Sequence, residues 1–447
     1  MRIPQTPPDP YKLIEQFSPK TQRAVYLYRD KSSSYYHWDE IRHRPAPNDF
    51  STEQWWTALK FFRLGLRQDL PFADNKGLPL GYTVPLWLQE QLHYVDQQAG
   101  GSITSSSPEA LGNKEEQQRY LISSLMEEAI TSSQLEGAAT TLLVAKEMLR
   151  TNRAPRDLSE RMISNNYFAM KMIEEFEGDP LSPELLLGFH KTLTENTLKE
   201  SNQVGRFRNP GEEADVVDFE GNSLHRGVAP AHIEKEIAKL CAFANEENQG
   251  IQFIHPVVRA IILHFWLAWL HPFCDGNGRT ARALFYWSLQ RSGYWLFKYI
   301  SISEIIRKAP AKYVRAFLYT ETDENDVTYF IHYHMGVILQ ALEQFHQHAQ
   351  KSQQRIQAVD YSLRNSQINF NYRQLALLSN AIRHPNARYT FKSHATSHKI
   401  SIPTARTDLN SLADLGFLNK RIVSQTHVYS PVEGLQEKLK ALGEGDV

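Results

Sequence analysis

His271-Pro-Phe-Cys-Asp-Gly-Asn-Gly-Arg-Thr-Ala-Arg282 decides how the rest of this 447-residue chain is read. Twelve residues hold an imidazole, a carboxylate, an amide, two glycines and two arginines, a set that packing alone does not require. Upstream, Pro256 opens a helical pattern in which Val257, Ile261, Phe265 and Ala268 form an apolar stripe leading to His271. Downstream, Leu284, Trp287 and Leu289 continue a second helix to the break at Ser292-Gly293. The stretch is thus a tight turn between two helices.

That setting suits an anion. Gly276 and Gly278 let backbone N–H groups converge, and the helix that follows adds positive potential at its N-terminus. Arg279 and Arg282, three apart, are expected on one face, ready for further phosphate oxygens. Asp275 beside such a nest makes sense if a hard cation such as Mg2+ bridges it to the phosphates. His271 is placed to accept a proton from an incoming hydroxyl. A structural Gly-rich turn with a satisfied histidine is the bland alternative, and the full set at these spacings argues against it.

Working outward, a periodic helix runs over about 114–137, with Leu121, Ile122, Leu125, Ala129 and Ile130 as its apolar stripe. It stops at Gly137, which suits a left-handed cap. Ser132 and Glu136, four apart, project from one face near its end, where a carboxylate opposes the helix dipole. From this segment alone Glu136 reads either as a solvated surface residue or as one awaiting a cation. Helices are expected over Thr141–Arg150, Ser159–Glu177, Pro183–Leu198, His232–Phe243, Ala311–Thr320 and Asp326–Gln350. Asp218-Phe-Glu-Gly-Asn222 lies between Val216-Val217 and Leu224, which predicts a hairpin.

Composition bounds the whole. Lys and Arg number 49 against 50 Asp and Glu, so no global basic field draws the chain onto nucleic acid. Apolar residues make up 41%, enough for substantial cores. Cys241 and Cys274 are the only cysteines, which fits a reducing compartment and excludes a disulfide framework or zinc cluster. The most apolar run, Ile261 to Leu270, is too short to span a bilayer and the N-terminus has no signal-like apolar core, so a cytoplasmic protein without a membrane anchor is expected. Oligomerisation stays open.

Two ends flank the core. Residues 1–105 carry aromatic clusters (Tyr35, Tyr36 and Trp38; Trp55-Trp56 with Phe61-Phe62), and Asp49 to Ser51 caps a helix bearing Trp55, Leu59 and Phe62. Structural packing and partner binding are both open for them. Residues 100–108 read as a flexible loop and 351–370 as a linker, either a helix or an extended joint. Residues 371–430 hold eight Lys/Arg and two acids, in a chain of net charge −1. Helices are expected there over Tyr372–Arg383, Thr390–Lys399 and Ser401–Leu415. In the third, Ile402, Ala405, Leu409, Leu412 and Leu415 face inward, while Thr404, Arg406, Thr407 and Asn410 lie outside. Phe417 to Tyr429 follows as a hairpin turning near Ser424–Thr426, and the order resembles a winged helix-turn-helix. Residues 431–447 read as a tail.

His271 to Arg282 matches HPFx(D/E)GNGRxxR at every specified position, and on it the chain is identified as a member of the Fic (filamentation induced by cAMP) family. The resemblance covers roughly 80–350, within a domain set at 106–350. Ser132-x-x-x-Glu136-Gly137 resembles the family's inhibitory motif, and Gly205-Arg-Phe-Arg208 with the hairpin up to Val228-Ala-Pro230 resembles its target-clamping flap. The loop of that flap is longer than usual. The resemblance implies a mainly α fold: a helical core with a β-hairpin flap, plus the C-terminal winged helix.

It also implies transfer of AMP from ATP to a Ser, Thr or Tyr hydroxyl of a target protein, self-modification included. His271 is then the general base and Asp275 the Mg2+ ligand. Gly276, Asn277 and Gly278 form the α-phosphate cradle, and Arg279 and Arg282 the polyphosphate clamp. Tyr313 lies near the adenine, and Val216, Val217, Leu224 and His225 dock the target. Glu136, with Ser132 and Gly137, restrains the site by pairing with Arg282. Removal of AMP by water and transfer of another nucleotide, such as UMP, stay open. A reading of a different class makes the chain a nucleotide-sensing DNA-binding regulator through 371–430, where a protein-interaction role is the competing possibility.

Overall fold

A computed structural model describes residues 2–441 apart from 31, 33, 48, 101–113, 213–214, 218–220, 247–252, 365–369, 384–386 and 424–425. The chain folds as two compact units, Met1–Ser107 with Arg119–Phe345, and Pro108–Gln118 with His346–Val447. The fold is mainly helical, with three two-stranded sheets among the described residues. None of its described helices is long and apolar enough to cross a membrane.

The first unit opens with α1 (Pro10–Ile14), α2 (Pro19–Leu27), α3 (Trp38–Ile41) and α4 (Thr52–Leu64). Ser51 caps α4 by accepting from the Gln54 N–H, and the Gln54 side chain returns the bond, closing a capping box. Trp55, Trp56 and Leu59 of α4 bury against Trp38 and Ile41, so the tryptophans of both aromatic clusters are core. Next come β1 (Gln68–Ala73), paired antiparallel with β2 (Pro79–Tyr82), and α5 (Leu86–Ala99).

A boundary at 105 is not a boundary between units, and the reason is electrostatic. Lys60 Nζ lies 2.7 Å from Asp323 Oδ1, both buried. Arg63 donates to Tyr329 Oη at 3.0 Å, and Tyr35 Oη donates to Asp326 Oδ2 at 2.6 Å. Charges withdrawn from water this far are tolerated only when paired and hydrogen-bonded. They fasten the N-terminal segment to residues 323–329, and the β1–β2 hairpin is tied there too, through Gly81 to Asn325 and Val327.

The core then follows as α6 (Lys114–Leu135), α7 (Leu142–Thr151), α8 (Leu158–Glu175), α9 (Pro183–Thr194), the hairpin β3 (Asp215–Val217) and β4 (Ser223–Arg226), α10 (Pro230–Ala244), α11 (Pro256–Leu270), α12 (Asn277–Arg291), α13 (Ile302–Lys308), α14 (Pro310–Thr322) and α15 (Thr328–Arg364). The axis of the unit is α11. Its expected stripe is too narrow: Val257 to Leu267 are buried all round. Phe265 packs on Phe317 of α14 and Phe330 of α15, and Trp266 stacks on Phe72 of β1. A helix clothed on every side in this way cannot move without the core, which makes its C-terminal residue, His271, a fixed point. The turn of the β3–β4 hairpin, like the loop read at 100–108, falls mostly outside the described residues.

The second unit contains α16 (Tyr372–Arg383), α17 (Phe391–His398), α18 (Ile402–Asp414), β5 (Leu418–Val423) paired with β6 (Thr426–Pro431), and α19 (Leu435–Ala441). Thr390 and Ser401 cap α17 and α18 as expected. Ala405, Leu409 and Leu412 are buried, whereas Ile402 and Leu415, at the two ends of α18, stay exposed. Asn410 is not free outside, because Lys420 and Tyr429 both donate to its Oδ1, at 2.8 and 2.6 Å. Within the stretch read as a tail, Leu435 and Leu439 join the core with Leu378, Leu409 and Phe417, and 442–447 lie outside the described residues. Of the two forms open for the linker, residues 351–364 take the helical one, since α15 continues through Arg364.

Asp408 knots this unit. Its buried carboxylate accepts from Arg373 at 2.7 and 3.0 Å, Asn371 at 2.8 Å and His394 at 3.2 Å, joining α16, α17 and α18. Asp408→Ala strands those donors and should cost about 3 kcal/mol. Thermal unfolding followed by proteolysis should then show residues 346–447 melting ahead of the rest.

Candidate functional site

Tracing α11 into α12 gives the site its floor. His271 ends α11 in the left-handed conformation, φ 50° and ψ 54°. Its Nδ1 faces the Ala268 carbonyl at 3.2 Å. A carbonyl only accepts, so Nδ1 carries the proton and Nε2 is left as the base. Burial lowers the His271 pKa to about 4, with nearby His225 and Arg208 adding to that and the Ala268 carbonyl opposing it. The ring is therefore neutral at physiological pH.

Residues outside the 271–282 stretch hold this loop. The Arg208 backbone N–H donates to Pro272 O at 2.9 Å, while its guanidinium donates to His271 O at 2.8 Å and Val228 O at 2.7 Å. Gly227 passes so close that an added Cβ would lie 2.8 Å from His271 Cβ. His190, stacked on Phe273, takes the Gly205 N–H on Nδ1 at 3.1 Å and donates from Nε2 to Asp275 O at 3.0 Å. A lone glycine after a strand and a lone histidine in a helix carry no signal until their neighbours are known.

His190 and His271 are both lowered to about 4 by burial, as is His37 in the N-terminal segment. The folded pKa lies below the unfolded value near 6.5, so the unfolded chain binds more protons between the two, and stability rises with pH there. Acidification from pH 7 to 5 should cost about 2 kcal/mol per histidine. Denaturant melts of the whole chain at the two pH values measure it.

The α12 N-terminus starts at Gly276, φ 83°, with no side-chain cap. A Cβ there would meet Thr194 Cγ2 at 2.7 Å. The Asn277 side chain accepts from Phe273 N and donates to Phe273 O, both at 2.9 Å, so it fixes the turn while its backbone stays at the helix entrance. The Asp275 carboxylate is 59% exposed and pairs with Arg279 at 3.5 Å through Oδ1. The two arginines part company. Arg279 donates to Leu193 O at the end of α9, at 3.1 Å. Arg282, also buried, turns to α6.

There Arg282 Nε donates to Ser132 Oγ at 2.8 Å, and Nη2 donates to Ser132 O at 3.0 Å and Glu136 Oε1 at 2.7 Å. Gly137, φ 94°, ends the helix as a left-handed cap, and the Ala138 N–H returns to Ser133 O. This turn projects Glu136 across the α12 entrance, where a Cβ on Gly278 would come within 2.2 Å of Oε1. Burial works against the charge on Glu136, but Arg282, with Arg279 and His271 behind it, brings the carboxyl pKa below its ordinary value. Glu136 is thus ionised, and it lies over the most positive end of the helix. A second carboxylate, Glu128, secures α6, accepting from Tyr286 and Ser301 at 2.8 Å each and from the Ser303 N–H at 3.0 Å.

Glu136, His271, Gly278, Arg282 and Tyr313 line one cavity of about 160 Å³. Of the flap residues, Val216, Leu224 and His225 line it too, while Val217 is exposed. His225 donates from Nε2 to Trp269 O at 2.6 Å and meets Glu321 at 2.8 Å through Nδ1. Burial opposes its charge, but Glu321 raises the pKa overall. Among the described residues no group of three or more His, Cys, Asp or Glu could hold a metal by itself.

His271, the entrance to α12 and Arg282 thus meet around one cavity of a helical domain. Residues 180–289 match the model of the Fic/DOC family, and the chain carries a Fic domain. It is 40% identical over 67 residues to protein adenylyltransferase fic-1 of Caenorhabditis briggsae, 15% of this chain and 13% of that protein. It is 51% identical over 81 residues to protein adenylyltransferase Fic of Drosophila melanogaster, 17% and 16% respectively. The chain therefore spans well under a fifth of the length of these curated relatives. A Fic family protein from Desulfovibrio desulfuricans G20 shares the fold, with a TM-score of 0.51, 20% identity, and coverage of 77% of this chain and 94% of that one.

Proposed function

We propose that this chain is a protein adenylyltransferase restrained by its own α6. The observation that carries the reading is the convergence of His271 and Arg282 on one cavity at the uncapped entrance to α12, with Glu136 lying across it. His271 Nε2 takes the proton of a target Ser, Thr or Tyr hydroxyl. The hydroxyl oxygen attacks the α-phosphorus of ATP, the bond to the bridging oxygen breaks, and pyrophosphate leaves. The α12 backbone at Gly276–Gly278 receives the charge that develops on the α-phosphate.

Asp275 suits Mg2+, which is commonly held by one or two carboxylates and the substrate phosphates rather than by an all-protein cage. Val216, Leu224 and His225 stand where a target segment would approach His271. Glu136 occupies Arg282, which the γ-phosphate needs, so bound ATP lacks the geometry for attack. Reversal by water, or use of another nucleotide, draws on the same residues. Protein labelling from α-labelled ATP with Mg2+, compared among wild type, Glu136→Gly and His271→Ala, tests the reading. Absence of label in Glu136→Gly would sink it.

A second reading is favoured by one observation in the other unit. Arg406 on α18 and Lys420 and Arg421 on the β5–β6 hairpin are exposed, on three helices and a hairpin in winged-helix order. We propose that residues 371–430 form a winged helix that binds DNA, appended to the transferase. Gel shifts over a salt series check it: binding should weaken steeply with salt, and its absence would leave protein contact as the role.

A further inference from the structure

The end of α11 that carries His271 is closed by the β3–β4 hairpin. A helix leaves its last four carbonyls without partners of its own, and here each finds one. The His271 N–H donates to Leu267 O at 3.2 Å, and its ring donates to Ala268 O. The next two carbonyls go to β4 and the chain just beyond it. His225 Nε2 donates to Trp269 O at 2.6 Å, and the Val228 N–H donates to Leu270 O at 3.1 Å. His271 and the hairpin are thus anchored on neighbouring carbonyls, Ala268 O and Trp269 O, of one helical turn.

The hairpin needs that anchor. β3 and β4 are three and four residues long, and a two-stranded hairpin is marginal unless it packs on something. Ser223 and Arg226 bond to Asp215, within the hairpin. His225, opposite Val216 in the register, reaches out of it. While its Nε2 holds α11, its Nδ1 meets Glu321 Oε1 of α14 at 2.8 Å, and its ring lies 5.0 Å from that of Trp269. A carbonyl and a carboxylate only accept, so both ring nitrogens carry protons and the ring is a cation. The C-terminal end of α11 favours that charge too.

We infer that His225 and Glu321 are positioning residues: the ring clamped between Trp269 O and Glu321 sets how far the hairpin stands from His271, and so where a target hydroxyl meets the base. The inference rests on the transferase reading. It changes the place given to His225, whose two nitrogens are engaged by the protein and offer a target no hydrogen bond. Val216 and Leu224, on the same cavity wall, are left to meet the target segment. Glu321 lies outside the family match at 180–289. A hairpin freed from this clamp can lift or slide, and misplacing reacting groups by about 1 Å can cost about a hundredfold in rate.

The test uses the full chain. Spectra of nitrogen-labelled histidines at pH 7 should show both nitrogens of His225 protonated, its signal being assigned by its loss in His225→Gln. In Glu321→Gln the ring should turn neutral with its proton on Nε2, because the amide can donate to a bare Nδ1. Hydrogen exchange of β3 and β4 should quicken about tenfold in Glu321→Ala, the worth of one charge-assisted bond. The effect should be smaller in Glu321→Gln, which keeps a tether.

In the Glu136→Gly background, Glu321→Ala should lower protein labelling about tenfold or more, with Glu321→Gln in between. Calorimetric affinity for ATP should not fall, since the change removes an anion from the cavity wall. His225→Gln carries the test if Glu321→Ala does not fold. Combined with Glu321→Gln it should lose little more than either change alone, as two members of one contact do. A neutral His225 at pH 7, additive losses, or a fall in ATP affinity alongside labelling overturns the inference. If spectra and exchange come out as expected while no variant labels protein, the transferase reading alone falls.

Discussion

Glu136→Gly should raise protein labelling from ATP by at least about a hundredfold over wild type. The figure follows from the contacts it removes. The carboxylate is ionised, 2.7 Å from a guanidinium that is almost wholly buried, and only 29% exposed itself. Removing one member of such a pair ordinarily costs about 3–5 kcal/mol, because the other is left buried and uncompensated. On the transferase reading the γ-phosphate would replace it, so that free energy would become available to the nucleotide, and each 1.4 kcal/mol is about tenfold. Glu136→Gln separates charge from bulk. It keeps a side chain over Gly278 but cannot neutralise Arg282, so its activation should fall between wild type and glycine. The measurement is initial rate of labelling at saturating Mg2+ and fixed ATP. A Glu136→Gly rate equal to that of wild type would mean that the pair does not restrain the site.

How legible was this arrangement in the sequence? The turn between α11 and α12 was legible because its chemistry is local: glycines, base and arginines lie within twelve residues, and backbone conformation follows from them. Glu136 was legible as a helix-end carboxylate, yet its partner 146 residues away became visible only through a family resemblance. Two other features defeated the reading for one physical reason. Lys60, Arg63, Asp323 and Asp326 look like surface charges in sequence, and only their mutual burial shows that residues 1–107 share a unit with the core. Gly227 and His190 are ordinary in sequence and matter because of what packs against them.

Arg279 illustrates the reverse error. Spacing places it on one side of the helix with Arg282, but two long side chains that start from one face can end at different elements. One reaches α9 and the other α6. Helical spacing fixes where a side chain begins, not where its charge comes to rest.

In the released background, His271→Asn should lower the rate of labelling by about a hundredfold or more, the usual worth of a positioned general base, while ATP binding persists. The pH dependence discriminates further. With a folded pKa of about 4, His271 is already neutral at pH 6, so kcat/KM in Glu136→Gly should be flat from pH 6 to 8 rather than rising through 6.5. Glu136 itself favours the charged imidazole, so its removal shifts the acid limb lower still. Bound triphosphate has the opposite effect, because its negative charge favours imidazolium. The acid limb of kcat, which reports the bound state, should therefore lie at higher pH than that of kcat/KM, which reports the free enzyme. A limb near 6.5 in kcat/KM would show that His271 is not held as a buried neutral base. Rates unaffected by His271→Asn would place proton removal on another residue.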